Sequence, residues 1–189
     1  MAIFLNSLTK LRSGLSTLAI IKNNTGEHTI RALNALFREK AMREIKNIIL
    51  KDVDSRLFLE RELFCKNLFD CNKNFVKVQM LVLQNVNMNK EDLVNIAKFC
   101  EVEASLHYLD ISHNNLTVLD LTHFFNQIHY QTSNIDSLNI SWLRGKNHKN
   151  YWPAFDKALA TFLRFSRSIY HLDISGLPFP ENSLENLAF

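Results

Sequence analysis

Glycine and proline are scarce in this chain, 4 and 3 among 189 residues. An all-β sandwich needs frequent tight turns that draw on both, so that class is set aside. Cysteine is scarce as well. Cys65, Cys71 and Cys100 form no CxxC pair, and an odd count fits reduced thiols in a reducing compartment better than a disulfide framework. No apolar run is long enough to cross a bilayer, so no membrane span is expected. A phosphate-binding glycine-rich loop, HExxH, GxSxG and Cys/His metal spacings are all missing, so no cofactor, no metal and no enzyme activity are expected. Asp110 and His171 would serve as a base and its orienter, but no nucleophile accompanies them. Nucleic acid is not an expected partner either, because the aromatic residues follow core spacing and the acidic residues would repel phosphate.

What is present is enough for a core. Hydrophobic residues make up 47% of the chain, which argues against bulk disorder. Fourteen phenylalanines call for a place where bulky side chains separate two layers. The net charge of +3 hides an asymmetry: residues 1–77 carry 14 basic and 8 acidic side chains, residues 78–189 carry 8 and 11. The basic part, including the segment Arg38 to Lys46, reads as a solvated face, with an acidic partner as the sharper alternative. The opening segment, Met1 to Asn24, lacks acidic side chains and loosely suggests a transit peptide. The preferred reading makes it the tail of a helix (Phe4, Leu8, Leu11, closed near Gly14) followed by a strand. Three glycosylation sequons, at Asn23, Asn115 and Asn139, fall in or beside expected strands and are read as chance.

The strongest signal is repetition. Leu109-Asp110-Ile111-Ser112 returns as Leu172-Asp173-Ile174-Ser175. Each belongs to a template of four apolar places and one inward place before the last: Leu106, Leu109, Ile111, Asn114, Leu116 in one copy, and Ile169, Leu172, Ile174, Leu177, Phe179 in the other. The template also fits Ile135, Leu138, Ile140 and Leu143, and Val78, Leu81, Leu83, Val86 and Met88. Weaker fits start at Ile45 and Leu15. The second apolar place is therefore held by Leu18, Ile48, Leu81, Leu109, Leu138 and Leu172. Neighbouring copies are separated by a near-constant interval of roughly 30 residues, as in repeat architectures. Helical spacing appears between copies: Leu93, Ile96, Ala97, Cys100; then Leu121, Phe124, Phe125, Ile128; then Phe155, Ala158, Leu159, Phe162. Asn89 is placed to cap the first of these, with Met88 and Leu93 as a hydrophobic staple, and Pro153 to open the third.

This pattern resembles leucine-rich repeats of the long, ribonuclease-inhibitor-like type. It is also similar to the divergent arrays of cytoskeletal and ciliary proteins, including the CARMIL-like actin-capping-regulator family. The resemblance implies an α/β solenoid, a horseshoe of about six repeats with a parallel sheet on the concave face and helices on the convex face. It further implies protein–protein recognition without catalysis. Residues 1–189 are read as one such domain, a fragment of a longer solenoid or an uncapped part of one, since the last residues, Ser183 to Phe189, are an odd cap.

In that architecture the free places of each strand point outward and stack into ladders. The first ladder is Thr17, Asn47, Met80, Tyr108, Ser137, His171; the second Ala19, Ile49, Val82, Asp110, Asn139, Asp173; the third Ile21, Lys51, Gln84, Ser112, Ser141, Ser175. The last three copies thus offer a polar, mildly acidic strip of Tyr108, Asp110, Ser112, Asn139, Ser141, His171, Asp173 and Ser175 beside Trp142. A second candidate surface is the insertion at 144–152, cationic and aromatic, with Arg144, Lys146, Lys149, Tyr151 and Trp152. The place held by Asn114 is Asn only there and at Asn23, so loop geometry should differ between copies. The expected function is a cytoplasmic protein-binding or scaffolding module using the concave strip and this loop. The alternatives are a structural subunit of a large cytoskeletal or ciliary assembly, or a regulatory domain of a GTPase- or ubiquitin-linked system.

Overall fold

A computed structural model describes residues 15–22, 45–53, 78–102, 105–128 and 134–181, together with Ala32 and Ala35. The expected leading helix at Phe4 to Leu11, Asn23, Cys65, Cys71, most of the basic segment 38–46 and the residues after Glu181 lie outside the described residues.

Six strands form one parallel sheet in sequence order: β1 Thr17–Ile21, β2 Asn47–Lys51, β3 Met80–Gln84, β4 Tyr108–Asp110, β5 Ser137–Asn139 and β6 His171–Asp173. Leu18, Ile48, Leu81, Leu109, Leu138 and Leu172 are register partners in one continuous row. Even the two weak template fits, around Leu18 and Ile48, are strands. The first five of these residues are 0–5% exposed, whereas Leu172 on the edge strand is only partly buried. An alternating strand gives one face to the core, so a slip of one residue would turn this whole row toward solvent. Loss of a central member to alanine would cost about 2–5 kcal/mol.

Three α-helices are defined among the described residues: α1 Lys90–Val102, α2 Val118–Gln127 and α3 Trp152–Phe165. α1 packs on α2 and α2 on α3. The chain closes the N-termini of α1 and α2 with the same device. Asn89 Oδ1 accepts from the Asp92 amide while Asp92 Oδ2 accepts from the Asn89 amide. Thr117 and Asp120 form the equivalent reciprocal box at α2. Each box satisfies helix-end donors that otherwise lack partners. Met88 and Leu93, both 2% exposed, flank the first box as expected of a staple. α3 differs: a 3-10 turn, Lys149–Tyr151, leads into it, Tyr151 makes no side-chain cap, and Pro153 is its second residue rather than its first.

The phenylalanines have a defined place. Phe125 of α2 lies 5.1 Å from Phe162 and 6.1 Å from Phe155 of α3, between ring centroids. Trp152 and Phe155 in turn meet Phe179, at 5.0 and 6.1 Å, so one aromatic cluster joins two helices to the segment after β6. Cys100 is a buried free thiol.

Candidate functional site

The recurring Leu-Asp-Ile-Ser has a structural job. Asp110 Oδ1 accepts from the Ser112 amide at 2.9 Å, Asn139 Oδ1 from the Ser141 amide at 3.0 Å, and Asp173 Oδ1 from the Ser175 amide at 2.9 Å. A short polar side chain bonding its own backbone two residues on is a turn-forming device. Strands carrying it are three residues long, while β1–β3, with Ala19, Ile49 and Val82 at the same register, run for five. Much of the expected outward strip is consequently consumed by the fold. Asp110 is 5% exposed, Ser112 0% and Ser141 3%. These three correct the outward expectation: their polar atoms serve turns and neighbouring rungs. Gln84 donates to the Ser112 hydroxyl, and Asn139 accepts the Ser141 hydroxyl at 2.7 Å. Val82, also expected outward, is buried beside Asp110.

What stays accessible is narrower. Asp173, Ser175 and His171 are exposed, and Tyr108, Ser137 and Asn139 half-buried. Burial, then the charges of Asp110 and Asp173, push the Tyr108 hydroxyl above its usual pKa. Asp173 goes the other way: hydrogen bonds from the Ser175 hydroxyl and amide, with His113 nearby, hold its carboxyl below the ordinary value. The strip therefore keeps an anionic centre at Asp173.

Beside it runs a feature the ladder reading missed. The residue after each third-ladder position adopts a left-handed backbone: Lys22, Asp52, Asn85, His113, Trp142 and Gly176, at φ 52°, 51°, 51°, 58°, 53° and 70°. Each of the first five donates its amide to the third-ladder carbonyl of the next copy, at 2.8–3.1 Å. The sheet's hydrogen bonding thus continues one rung beyond the strands. Side chains link along the row as well. Asn85 Nδ2 donates to Asp52 Oδ1, and Arg144 Nη1 donates to Asn85 Oδ1. His113 stacks on Trp142 at 6.3 Å with an interplanar angle of 11°. Trp142 lies against Gly176, where an added Cβ would come within 2.5 Å of the indole. The signal was present in sequence, since Asp, Asn, His and Gly tolerate this conformation and hold four of the six places. Tryptophan does not tolerate it well, yet Trp142 is 55% exposed.

The 144–152 insertion is less free than expected. The amides of Arg144 and Gly145 donate to the carbonyls of Asn114 and Leu116, and Asn147 Oδ1 accepts from the Val118 amide at the start of α2. A Cβ at Gly145 would sit 2.4 Å from the Leu116 oxygen, so this close approach requires glycine. Arg144, Lys146 and Lys149 are exposed and Tyr151 is half-buried, but Trp152 is 4% exposed. Trp152 belongs to the aromatic cluster and is corrected from surface to core. The site that remains brings Trp142, His113, Arg144, Asn85 and Asp173 together on one edge of the sheet.

Asn114 anchors that edge. Its Nδ2 donates to the carbonyls of Leu83 (2.7 Å), Ile111 (2.8 Å) and Ser112 (3.2 Å), and its Oδ1 accepts from the amides of Val86 and Met88, both 3.0 Å. Among the described residues, no group of three or more His, Cys, Asp or Glu could hold a metal ion. No helix of the described residues is long and apolar enough to cross a membrane.

No family model matches the sequence, and no curated protein matches it. Solved structures do match in fold. The tropomodulin C-terminal domain from Caenorhabditis elegans superposes with a TM-score of 0.62 at 15% identity, over 84% of this chain and 89% of that one. Actin-binding site 2 of leiomodin-1 does so with a TM-score of 0.50 at 12% identity, over 97% and 84%. At these identities the likeness is one of fold.

Proposed function

We propose that this chain is a leucine-rich-repeat array of six copies that acts as a non-catalytic protein-interaction module within a cytoskeletal assembly, with actin as its first candidate partner. The repeat assignment is supported by six strands in register along one apolar row and by the side-chain network of Asn114. The partner is supported by one observation above all: a domain of the same fold is named as an actin-binding site of leiomodin-1. This favours the cytoskeletal-assembly alternative over a general scaffold, and it carries with it a cytoplasmic location.

The contact surface in this reading is the edge centred on Trp142, with Arg144 and Asp173 flanking it. Exposed aromatic and arginine side chains carry a large share of interface affinity. Asp110, by contrast, is unsuited to a surface role, because reversing its charge would disrupt a buried turn. The test is co-sedimentation with actin filaments, paired with gel filtration against monomeric actin. The wild-type chain is expected to bind one form, and Trp142→Gly to weaken binding about tenfold or more while the fold is retained. Absence of binding to both forms would remove actin as the partner. Binding that is indifferent to Trp142, Arg144 and Asp173 would move the contact elsewhere.

A further inference from the structure

A cleft of about 560 Å³ opens between the start of α3 and the segment after β6. Its floor is Trp152 and Asp156; its apolar walls are Pro153, Pro178 and Pro180. Phe179, packed on Trp152 and Phe155, pins the segment that carries two of those prolines. Lys149 and Glu181 stand at the sides. Asp156 is 5% exposed, and its Oδ1 is a buried oxygen without a hydrogen-bond partner. Burial without a compensating charge pushes its carboxyl pKa upward. Buried polar atoms are nearly always satisfied, so an unpaired oxygen on a carboxylate that lines a formed cleft calls for a donor.

We propose that this cleft receives an arginine or lysine side chain of a protein partner, with its cationic head on the Asp156 carboxylate and its alkyl stem against Trp152 and the prolines. The chemistry is complementary throughout. Two carboxylates face the cleft against one ammonium, so its charge balance favours a cation. Three prolines and an indole accommodate a methylene stem and exclude water from the contact. A guanidinium or ammonium donating to a desolvated carboxylate makes a charge-assisted bond, roughly twice as strong as a neutral one. A neutral donor would satisfy the oxygen but leave the buried charge uncompensated.

The proposal rests on the protein-binding reading only for the source of the side chain, and it can be tested without any partner. Blocked arginine (acetyl-arginine amide) is titrated into the protein while the Trp152 indole signal and the Asp156 carboxyl carbon are followed by NMR. Blocked citrulline, the neutral isostere, is the control. A ligand of this size is expected to bind in roughly the millimolar range. Saturable shifts at both reporters, about tenfold weaker for citrulline, are expected. Asp156→Asn should reduce the arginine response to the citrulline level. Glu181→Gln, at an exposed position, should weaken it by a smaller factor and leaves the proposal testable if the first variant misfolds. Equal responses to arginine and citrulline, or no saturable shift, would overturn the proposal and leave the actin reading untouched. Failure of actin binding would likewise leave the cleft result standing.

Discussion

Replacing Asn114 tests whether side-chain hydrogen bonding, rather than packing, holds the loop after β4 in its observed shape. The side chain is fully buried and makes five contacts of hydrogen-bond length to three carbonyls and two amides. With two hydrogens serving three carbonyls, roughly four full bonds are at stake. At about 1 kcal/mol per bond, and more where a group such as the Met88 amide is left buried and unpaired, Asn114→Ala should cost about 4–5 kcal/mol. That is a large part of the roughly 5–15 kcal/mol that holds a domain together. Asn114→Leu is the discriminating variant, because Leu143 and Leu177 occupy the same template place in later copies. If hydrogen bonds are what matter, leucine will also destabilise by at least about 3 kcal/mol. Urea unfolding should show a lower midpoint at an unchanged slope, and amide exchange should accelerate first at Val86 and Met88. A leucine variant within about 1 kcal/mol of wild type would refute the reasoning, showing that shape alone suffices there.

Other expectations follow from the same geometry. Gly145→Ala should destabilise by more than about 2 kcal/mol, read by thermal melting, since its Cβ would collide with the Leu116 carbonyl rather than with a movable side chain. Trp142→Gly should leave stability within about 1 kcal/mol of wild type, because relief of a left-handed backbone, worth about 1–2 kcal/mol, offsets the lost stack on His113. Asp156→Asn should be more stable than wild type near neutral pH. The folded-state pKa of Asp156 is raised above its unfolded value, so its burial penalty acts at higher pH and fades as pH falls toward 3.8. Asp173 has the opposite sign: its contribution is present above 3.8 and is lost as pH falls below that value, so Asp173→Asn should matter only above that window. Cys100, whose thiol pKa burial pushes far up, should resist alkylation in the folded protein and react only on unfolding.

The sheet was legible in the sequence because its signal recurs at a near-constant interval. Leu18 and Ile48 sit in weak template matches, yet they lie in the same row as Leu109, since a solenoid-like spacing leaves each strand one place to pair. The helix spacing at Leu121, Phe124 and Phe125 was equally readable, and so was the Asn89 cap. The surface was not. Reading outward places from alternation assumes that strands keep alternating, but Asp110, Asn139 and Asp173 bend the backbone into turns and end them after three residues. Ser112 and Ser141 are thereby carried inside. Trp152 was misassigned for a different reason. The insertion reads as a polar loop, and nothing local reveals that Phe179, beyond both α3 and β6, covers it.

A separate left-handed turn, one residue beyond the third ladder, carries the one tryptophan left on the surface. The left-handed rung at Lys22, Asp52, Asn85, His113, Trp142 and Gly176 recurs in all six copies, including the first three, where Ala19, Ile49 and Val82 stand in place of the Asx residue. Four of these places hold residues suited to the conformation, so tryptophan at the fifth is not dictated by the turn. Glycine would serve the backbone better, and the final place, Gly176, shows that the fold accepts it. Gly176 also provides the flat floor on which the Trp142 indole rests, while His113 covers its other side. A strained, exposed aromatic braced by both neighbours fits the pattern of strain kept at functional sites, which supports the proposed contact surface. The candidate surface thus passes from Asp110 and Ser112, whose polar atoms the fold uses, to the left-handed rung beside them.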